Sequence, residues 1–306
     1  MKVSGFTFVR NAIKLQYPIV ESIRSILPIV DEFVVNIGDS EDDTVELVRS
    51  IGSPKLRIIK SAWNPNVTTG GYVLAQQTNI ALFNCTGEWA IYLQADEAIH
   101  QRDHDALIKL MTQYRSDDDV EGLLLQRLTF YGGYDIVVTA HPFLFDLTCR
   151  VVKPHRFVLS RGDAAGFTVH PKYKERGRRL RAVDTGLAVF HYGDVRSPAA
   201  SADFQSEKSK FWLETGAPNQ NYYDRIPRQF VTEYRDSHPA PMHNRISAFI
   251  SQADLGSPRW RSVLTSNEYR RYWRSRLMKL IGRRDIFPWI GSDYKIVASH
   301  REAFIC

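Results

Sequence analysis

Apolar residues follow two periodicities along the first 127 residues of the chain. Short apolar runs predict five strands, at Val3–Val9, Glu32–Ile37, Leu56–Ile59, Glu88–Leu93 and Val120–Arg127. The segments between them carry apolar residues at helical spacing, which predicts helices at Ala12–Ile26, Asp42–Ile51, Gly71–Phe83 and Asp103–Tyr114. Because strands and helices alternate, we predict an α/β fold with a mostly parallel sheet and helices on both of its faces.

The pattern becomes irregular after about residue 127. Strand-like pieces at Cys149–Val152 and Leu187–His191 are separated by glycine, proline and basic residues, and helix-like segments follow at Ala202–Glu214 and Gln252–Trp273. We therefore predict one α/β domain over residues 1–195, divided into a ligand-binding half at 1–127 and a half at 128–195 whose loops accept a substrate. Residues 196–306 are predicted to form a mainly helical C-terminal appendage.

Adjacent carboxylates follow one of the predicted strands directly. The segment from Trp89 to Leu93 is apolar and leads, through Gln94 and Ala95, into Asp96 and Glu97 without a turn residue. Ligands bind beyond the carboxyl ends of the strands in such sheets, and carboxylate oxygens suit Mg²⁺ or Mn²⁺. This pattern predicts a metal held against a diphosphate. The alternative is that Asp96 opens a turn and caps the following helix.

Composition indicates an ordinary globular protein. No apolar run approaches the roughly 18 residues that span a bilayer, and the N-terminus lacks a signal-peptide layout, so we expect a cytoplasmic location. Cys85, Cys149 and Cys306 are scattered and form no CxxC pair, which argues against a disulfide framework and against a thiolate zinc site.

The net charge of +6 is concentrated near the C-terminus. Residues 251–306 hold 11 Lys and Arg against 5 Asp and Glu. A basic surface of this kind predicts contact with phosphates, either of nucleic acid or of an anionic membrane, although a solvated helical face is the alternative. Basic segments at Lys172–Arg181 and Arg270–Arg276 fit both partners. An apolar stripe of Trp273, Leu277 and Leu280 fits peripheral membrane contact.

Several motifs together resemble the family-2-type glycosyltransferases of the GT-A fold. Phe8-Val9-Arg10-Asn11 resembles the family's first strand and turn, and Gly38-Asp39-Ser40-Glu41-Asp42-Asp43-Thr44 resembles its D-G-S-T-D-G-T segment. Ala75-Gln76-Gln77-Thr78-Asn79 with Gly87-Glu88-Trp89 resembles its A-x-N and G-x-[YW] stretch. Leu93-Gln94-Ala95-Asp96-Glu97 stands where the family has its D-x-D metal motif. These matches cover roughly the first 130 residues, and the resemblance implies a Rossmann-like GT-A sheet.

A bacterial and phage subgroup of that family resembles the later part of the chain. Its shared pieces are Phe130-Tyr131-Gly132-Gly133-Tyr134, Gly162-Asp163-Ala164-Ala165-Gly166-Phe167, His191-Tyr192-Gly193 and His238-Pro239. Two departures stand against the family pattern: Gln94 replaces the first Asp of D-x-D, and Ile37-Gly38 replace acidic residues that often contact the nucleotide.

The resemblance implies an inverting transfer of a sugar from a nucleotide-sugar donor to an acceptor hydroxyl, with a divalent metal, Mn²⁺ or Mg²⁺. The implied metal ligands are Asp96, Glu97 and His191. The implied donor-binding residues are Arg10, Asn11, Gly38, Asp39, Gln76, Asn79, Gln94 and Ala95. Asp163 is the expected general base, with Asp184 and Asp194 as competitors.

The acceptor is expected to be a saccharide or a glycolipid, or alternatively a hydroxymethylated base in phage DNA within a host cytoplasm. Candidate acceptor contacts are Tyr131, Tyr134, Arg178, Arg179, Arg270, Arg271 and Arg274. Trp63, Tyr131 and Tyr134 suit stacking on a sugar or base, although burial is the default for such side chains. A non-catalytic nucleotide-sugar-binding module and a nucleotidyltransferase are the alternative function classes.

Overall fold

A computed structural model describes residues 1–139, 147–171, 177–212, 230–251 and 294–300, together with 266, 269, 270, 272–274 and 277. The strands of this part of the chain are β1 Val3–Val9, β2 Glu32–Gly38, β3 Leu56–Ser61, β4 Trp89–Tyr92, β5 Glu97–Ile99, β6 Gly122–Tyr131, β7 Ile136–Val138, β8 Leu147–Val152, β9 Val158–Arg161, β10 Gly166–Val169, β11 Arg178–Asp194, β12 Val231–Glu233 and β13 Tyr294–Ser299. The helices are α1 Ile19–Ile26, α2 Thr44–Arg49, α3 Tyr72–Phe83, α4 His104–Gln113, α5 Pro198–Ser209 and α6 His243–Ser251.

The main sheet has the strand order β3-β2-β1-β4-β8-β6-β11. Pairing is parallel within β3-β2-β1-β4 and between β6 and β11, while β8 runs antiparallel to both β4 and β6. All strands of this path except β8 therefore point the same way and end at one edge. The predicted α/β class with a mostly parallel sheet is confirmed.

Apolar side chains cover both faces of the sheet, as expected for parallel strands buried between helices. Successive residues of a strand point to opposite faces, so Val3 and Val9 join one core cluster while Phe6 joins the other. On α1, Ile19, Ile23 and Ile26 are spaced to lie on one helical face and are fully buried in the first cluster.

The first helix is shorter than predicted. The sequence pattern predicts a helix from Ala12, but α1 begins at Ile19. Asn11 and Gln16 adopt positive φ angles of 55° and 53°, which interrupt a helix, and Pro18 precedes the first helical residue. Residues 12–17 instead form a turn at the carboxyl end of β1.

The region predicted as a helical appendage is mixed. Its described residues include α5 and α6, but also β12, which pairs with β7, and β13, which pairs with β11 in the main sheet. Residues 269, 270, 272–274 and 277 are helical, whereas Arg271, Leu280 and most of the predicted helix Gln252–Trp273 lie outside the described residues. Among the described residues, no helix has the length and apolarity needed to cross a membrane.

Candidate functional site

Asp96 and His191 meet at the carboxyl end of β4, although they are far apart in the sequence. Asp96 lies in the turn between β4 and β5, and its carbonyl accepts a hydrogen bond from the Tyr192 amide at 2.8 Å. Strand β5 pairs antiparallel with β11, which sets His191 opposite Glu97. The Nε2 atom of His191 consequently lies 3.8 Å from Oδ2 of Asp96, and both residues are buried.

Gly193 leaves the space that these two side chains share. A Cβ atom at this position would lie 2.6 Å from Nε2 of His191 and 2.7 Å from Oδ2 of Asp96, closer than real Cβ contacts allow. The absence of a side chain at residue 193 is therefore a condition for this arrangement.

Burial controls the charges of both groups. It raises the pKa of Asp96 to about 6, against the opposing effect of Arg196. Burial, followed by the nearby Arg127 and Arg196, holds the pKa of His191 well below its ordinary value. The imidazole is therefore neutral at neutral pH and has a lone pair to offer a ligand. Its Nδ1 atom is buried and, within the described part of the chain, has no hydrogen-bond partner.

Glu97 does not share this site, which contradicts its predicted role as a metal ligand. Nε and NH2 of Arg150 donate to its two carboxylate oxygens at 2.6 Å each, and the Gln94 amide donates to Oε2 at 3.1 Å. Glu97 and Arg150 are essentially fully buried, so this bidentate pair satisfies both charges inside the protein. Within the described ranges, no group of three or more His, Cys, Asp and Glu side chains has an arrangement that holds a metal ion.

Asp96 and His191 nevertheless fit a divalent ion as a two-residue donor set. A carboxylate oxygen and an imidazole nitrogen suit Mn²⁺, which can take further oxygens from a diphosphate and from water. The features of the chain that favour such a ligand are the neutral imidazole, whose Nε2 atom faces Oδ2 of Asp96 at 3.8 Å, and the close approach of both side chains that Gly193 permits.

Arg196 borders the same carboxylate. Its NH2 atom lies 3.6 Å from Oδ2 of Asp96, and its Nε donates to the Leu15 carbonyl at 2.9 Å. The guanidinium carbon lies 4.9 Å from the ring centre of Tyr17 and 4.1 Å from that of Phe204. No motif singles out Arg196 or Tyr17 in the sequence, since only the turn at residues 12–17 and the entry into α5 bring them together.

The turns that follow β1 and β2 are tied together. Nε of Arg10 donates to the Asp39 carbonyl at 2.7 Å, and its NH1 pairs with Glu207 of α5 at 3.0 Å. Asn11 is buried, its Oδ1 accepting from the Glu41 amide at 2.8 Å. Of the predicted donor-binding residues, Asn11 thus holds the loop structure, while Arg10 and Asp39 lie together at the carboxyl edge of the sheet.

Gly38 gives room to Trp63. A Cβ atom on Gly38 would collide with the indole Nε1 of Trp63, so the ring lies directly against this backbone. The ring also contacts Phe8 and Phe211, with centroids 6.0 and 5.3 Å away, and Arg10 lies over it. The Trp63 Nε1 atom is buried without a hydrogen-bond partner in the described structure.

The remaining residues predicted to bind the donor are Asn79, Ala95, Gln94 and Gln76. Asn79 exchanges two hydrogen bonds with the backbone of Ser160 and so fastens α3 to β9, which contradicts a donor-binding role. Ala95 is buried in the apolar core. The backbone amide of Gln94 donates a hydrogen bond to Glu97, and its carbonyl accepts one from the Ser22 hydroxyl. Gln76 is partly exposed on α3.

The three candidate bases lie in different surroundings. Asp163 is exposed in the turn between β9 and β10, beside Gly71 at the start of α3. Asp184 is buried within β11, where its Oδ1 accepts from the Gly186 amide at 3.3 Å. Asp194 ends β11, and its charge contributes to the raised pKa of Asp96. Asp194 is therefore the candidate whose charge acts on Asp96.

The predicted acceptor contacts do not come together. Tyr131 and Tyr134 are buried, so stacking on a sugar is contradicted for both. Arg178 pairs with Glu121 at the start of β11, and Arg179 follows it, about 13 residues before His191. That separation corresponds to roughly 40 Å of extended strand, so these arginines lie far from the site. Arg270 and Arg274 are exposed.

Comparisons with known proteins give limited similarities. No protein-family model matches the chain. An uncharacterized glycosyltransferase of Rickettsia prowazekii (strain Madrid E) is 28% identical over 116 residues, covering 38% of this chain and 35% of the relative, and a second one, from Rickettsia typhi, matches to the same extent. This chain therefore spans about a third of the length of the curated relatives it matches.

Two solved structures give weaker similarities. S. aureus TarS in complex with UDP covers 72% of this chain and 67% of its own, at 15% identity and a TM-score of 0.41. Glucosyl-3-phosphoglycerate synthase from Mycobacterium tuberculosis, in complex with Mn²⁺, UDP and glucosyl-3-phosphoglycerate, covers 43% of this chain and 45% of its own, at 18% identity and a TM-score of 0.30. In sequence, the chain is similar to curated proteins that are named glycosyltransferases.

Proposed function

We propose that this protein is a glycosyltransferase of the GT-A type that takes its sugar from a nucleoside diphosphate sugar. The observation that carries the proposal is the convergence of Asp96 and neutral His191 beside Gly193, at the carboxyl edge of a mostly parallel sheet. The motif resemblance over the first 130 residues and the 28% identity to curated glycosyltransferases support it.

Asp96 and His191 are the residues that would hold Mn²⁺ or Mg²⁺. Such an ion, when bound, acts as a Lewis acid that stabilises the charge on a departing diphosphate. The same edge of the sheet offers Arg10 and Asp39 to the nucleotide. Burial excludes water around Asp96, which strengthens electrostatic interactions at the point where the diphosphate leaves.

The proposed reaction is an inverting displacement at the anomeric carbon. The acceptor oxygen forms a bond to that carbon, the bond to the diphosphate oxygen breaks, and a carboxylate takes the hydroxyl proton. A base positioned in this way contributes about 10²–10⁴ in rate. Asp163 is our first candidate because its exposed turn leaves room for an acceptor, and Asp194 is the second because its charge acts on Asp96.

Release of nucleoside diphosphate from a panel of nucleotide sugars, with Mn²⁺ or with EDTA, tests the proposal. The wild-type protein should release product with Mn²⁺, and Asp96→Ala should lose at least about 100-fold in rate. Asp163→Asn should keep donor binding and suppress transfer, while Asp203→Asn, which is exposed like Asp163, serves as the control. Suppression by Asp194→Asn alone would move the base to Asp194. A wild-type protein that binds the donor without releasing product would instead be a non-catalytic binding module.

A membrane-borne saccharide or glycolipid is the acceptor that the surface favours. Tyr269, Trp273 and Leu277 are about half exposed and follow one another at intervals of four residues, so they lie on one helical face. Arg270 and Arg274 flank this stripe and suit lipid phosphates. Leu277 has no ring to stack on a base, which favours a lipid interface over a hydroxymethylated base in DNA.

A further inference from the structure

The adjacent carboxylates of Asp96 and Glu97 each lie beside an arginine, but the two arginines contact them at different distances. Glu97 has a closed bidentate pair with Arg150 at 2.6 Å. Asp96 lies 3.6 Å from Arg196, a distance beyond a hydrogen bond, and its side chain accepts no hydrogen bond within the described residues. Arg150 thus completes a hydrogen-bonded pair, whereas Asp96 and Arg196 form an ion pair without a hydrogen bond between them.

The position of Arg196 is fixed by contacts other than Asp96. The Leu15 carbonyl accepts from its Nε, and the rings of Tyr17 and Phe204 lie beside its guanidinium. The next residue, Ser197, exchanges two hydrogen bonds with the Gln16 side chain at 3.1 Å. This cation is therefore held next to Asp96 by the fold and does not depend on the carboxylate for its place.

We propose that Arg196 neutralises Asp96 in the donor-free protein and, from the same position, also attracts the diphosphate when the donor binds, so that metal and donor bind interdependently. This inference rests on the proposed function. A divalent ion on Asp96 would lie within a few ångströms of the guanidinium, and two cations at that distance repel each other strongly in a buried site. A diphosphate carries enough negative charge to attract both the divalent ion and the Arg196 guanidinium.

If metal and donor bind interdependently, each should strengthen the binding of the other. UDP should strengthen Mn²⁺ binding, and Mn²⁺ should strengthen UDP binding by the same factor, about tenfold or more. Arg196→Gln removes the competing cation. It should therefore tighten Mn²⁺ binding without UDP, weaken UDP binding in EDTA about tenfold, and reduce the coupling factor.

Mn²⁺ binding is measured by electron paramagnetic resonance, and UDP binding by calorimetry, with neither readout depending on turnover. Arg245→Gln is the matched control, because Arg245 contacts the same turn through the carbonyls of Gln16 and Tyr17 but pairs with Glu21. This variant should keep the wild-type coupling factor. Arg196→Lys retains the charge and should restore most of the coupling that Arg196→Gln loses.

The outcomes separate the two proposals. A wild-type protein that binds no nucleoside diphosphate, with or without Mn²⁺, overturns the proposed function. A wild-type protein that binds UDP and Mn²⁺ independently overturns the role of Arg196 alone, and this arm remains decisive even where Arg196→Gln does not fold. A folded Arg196→Gln variant with unchanged coupling also overturns that role.

Discussion

A single carboxyl group carries both an energetic cost and the proposed chemistry. Burial raises the pKa of Asp96 from 3.8 to about 6, so the folded protein is destabilised by ionising this group. Two pKa units correspond to about 3 kcal/mol, and structural relaxation around the ionised group makes about 1–3 kcal/mol the expected range. Asp96→Asn should therefore raise the free energy of unfolding at pH 7.5 by this amount while it abolishes sugar transfer.

The sign of this effect follows from where each state titrates. The unfolded chain releases the Asp96 proton near pH 4 and the folded protein near pH 6, so wild-type stability falls relative to the variant as pH rises through that window. Denaturant unfolding at several pH values measures the difference, which should be largest above pH 6 and vanish near pH 4. Asp203→Asn on the exposed side of α5 should change stability by less than about 0.5 kcal/mol. A less stable Asp96→Asn protein at pH 7.5 would show that the ionised carboxylate contributes net stability.

At the scale of elements, the start of α5 connects stability to the site. The Ser197 hydroxyl accepts from the Ala200 amide at 3.3 Å as the N-cap, and the Gln16 side chain binds the same residue. Ser197→Ala should cost about 1 kcal/mol in thermal unfolding, and because Arg196 is the preceding residue it should also weaken UDP binding. Ser209→Ala, at the exposed end of the same helix, should leave both quantities near wild type. Equal effects of the two substitutions would contradict the link between the cap and the site.

The spacing of apolar residues predicted the alternating strands and helices of residues 1–127, but it did not predict the irregular segments. Val3–Val9 was predicted with its observed bounds because Lys2 and Arg10 flank a short segment that has apolar residues on both of its faces. The start of α1 was misplaced because the positive φ angles of Asn11 and Gln16 leave no signal in apolar spacing. Asp96 and His191 were predicted as metal ligands through motif resemblance, and this role stays a proposal. The position of Arg196 and the pairing of Glu97 with Arg150 were not anticipated, because these contacts join residues that are far apart in the sequence and depend on the tertiary fold.

At the scale of the whole molecule, the exposed stripe of Tyr269, Trp273 and Leu277 predicts binding to anionic membranes. Replacing Tyr269 and Trp273 by alanine should weaken sedimentation with phosphatidylglycerol vesicles by more than about tenfold, since each buried aromatic ring contributes on the order of 1–3 kcal/mol. Phe83→Ala removes a ring of α3 that is more exposed than either of these and should have no effect. Steeply salt-dependent DNA binding without vesicle binding, lost after neutralising Arg270, Arg271 and Arg274, would replace the membrane by DNA.

In the main sheet, the first four strands of the path (β3-β2-β1-β4) join the last three (β8-β6-β11) through a short pairing of β4 with β8. This has a consequence for how the protein is made. Among the residues that the structure describes, two backbone pairs join β4 to β8, namely Ala90 with Val152 and Ile91 with Val151. Asp96 comes from the first half of the chain, and His191 and Arg196 come from the second. During synthesis the first half leaves the ribosome with its carboxylate in place but without its imidazole or its guanidinium. The site is therefore assembled only when the second half docks, and a nascent first half has no complete site with which to capture donor or metal.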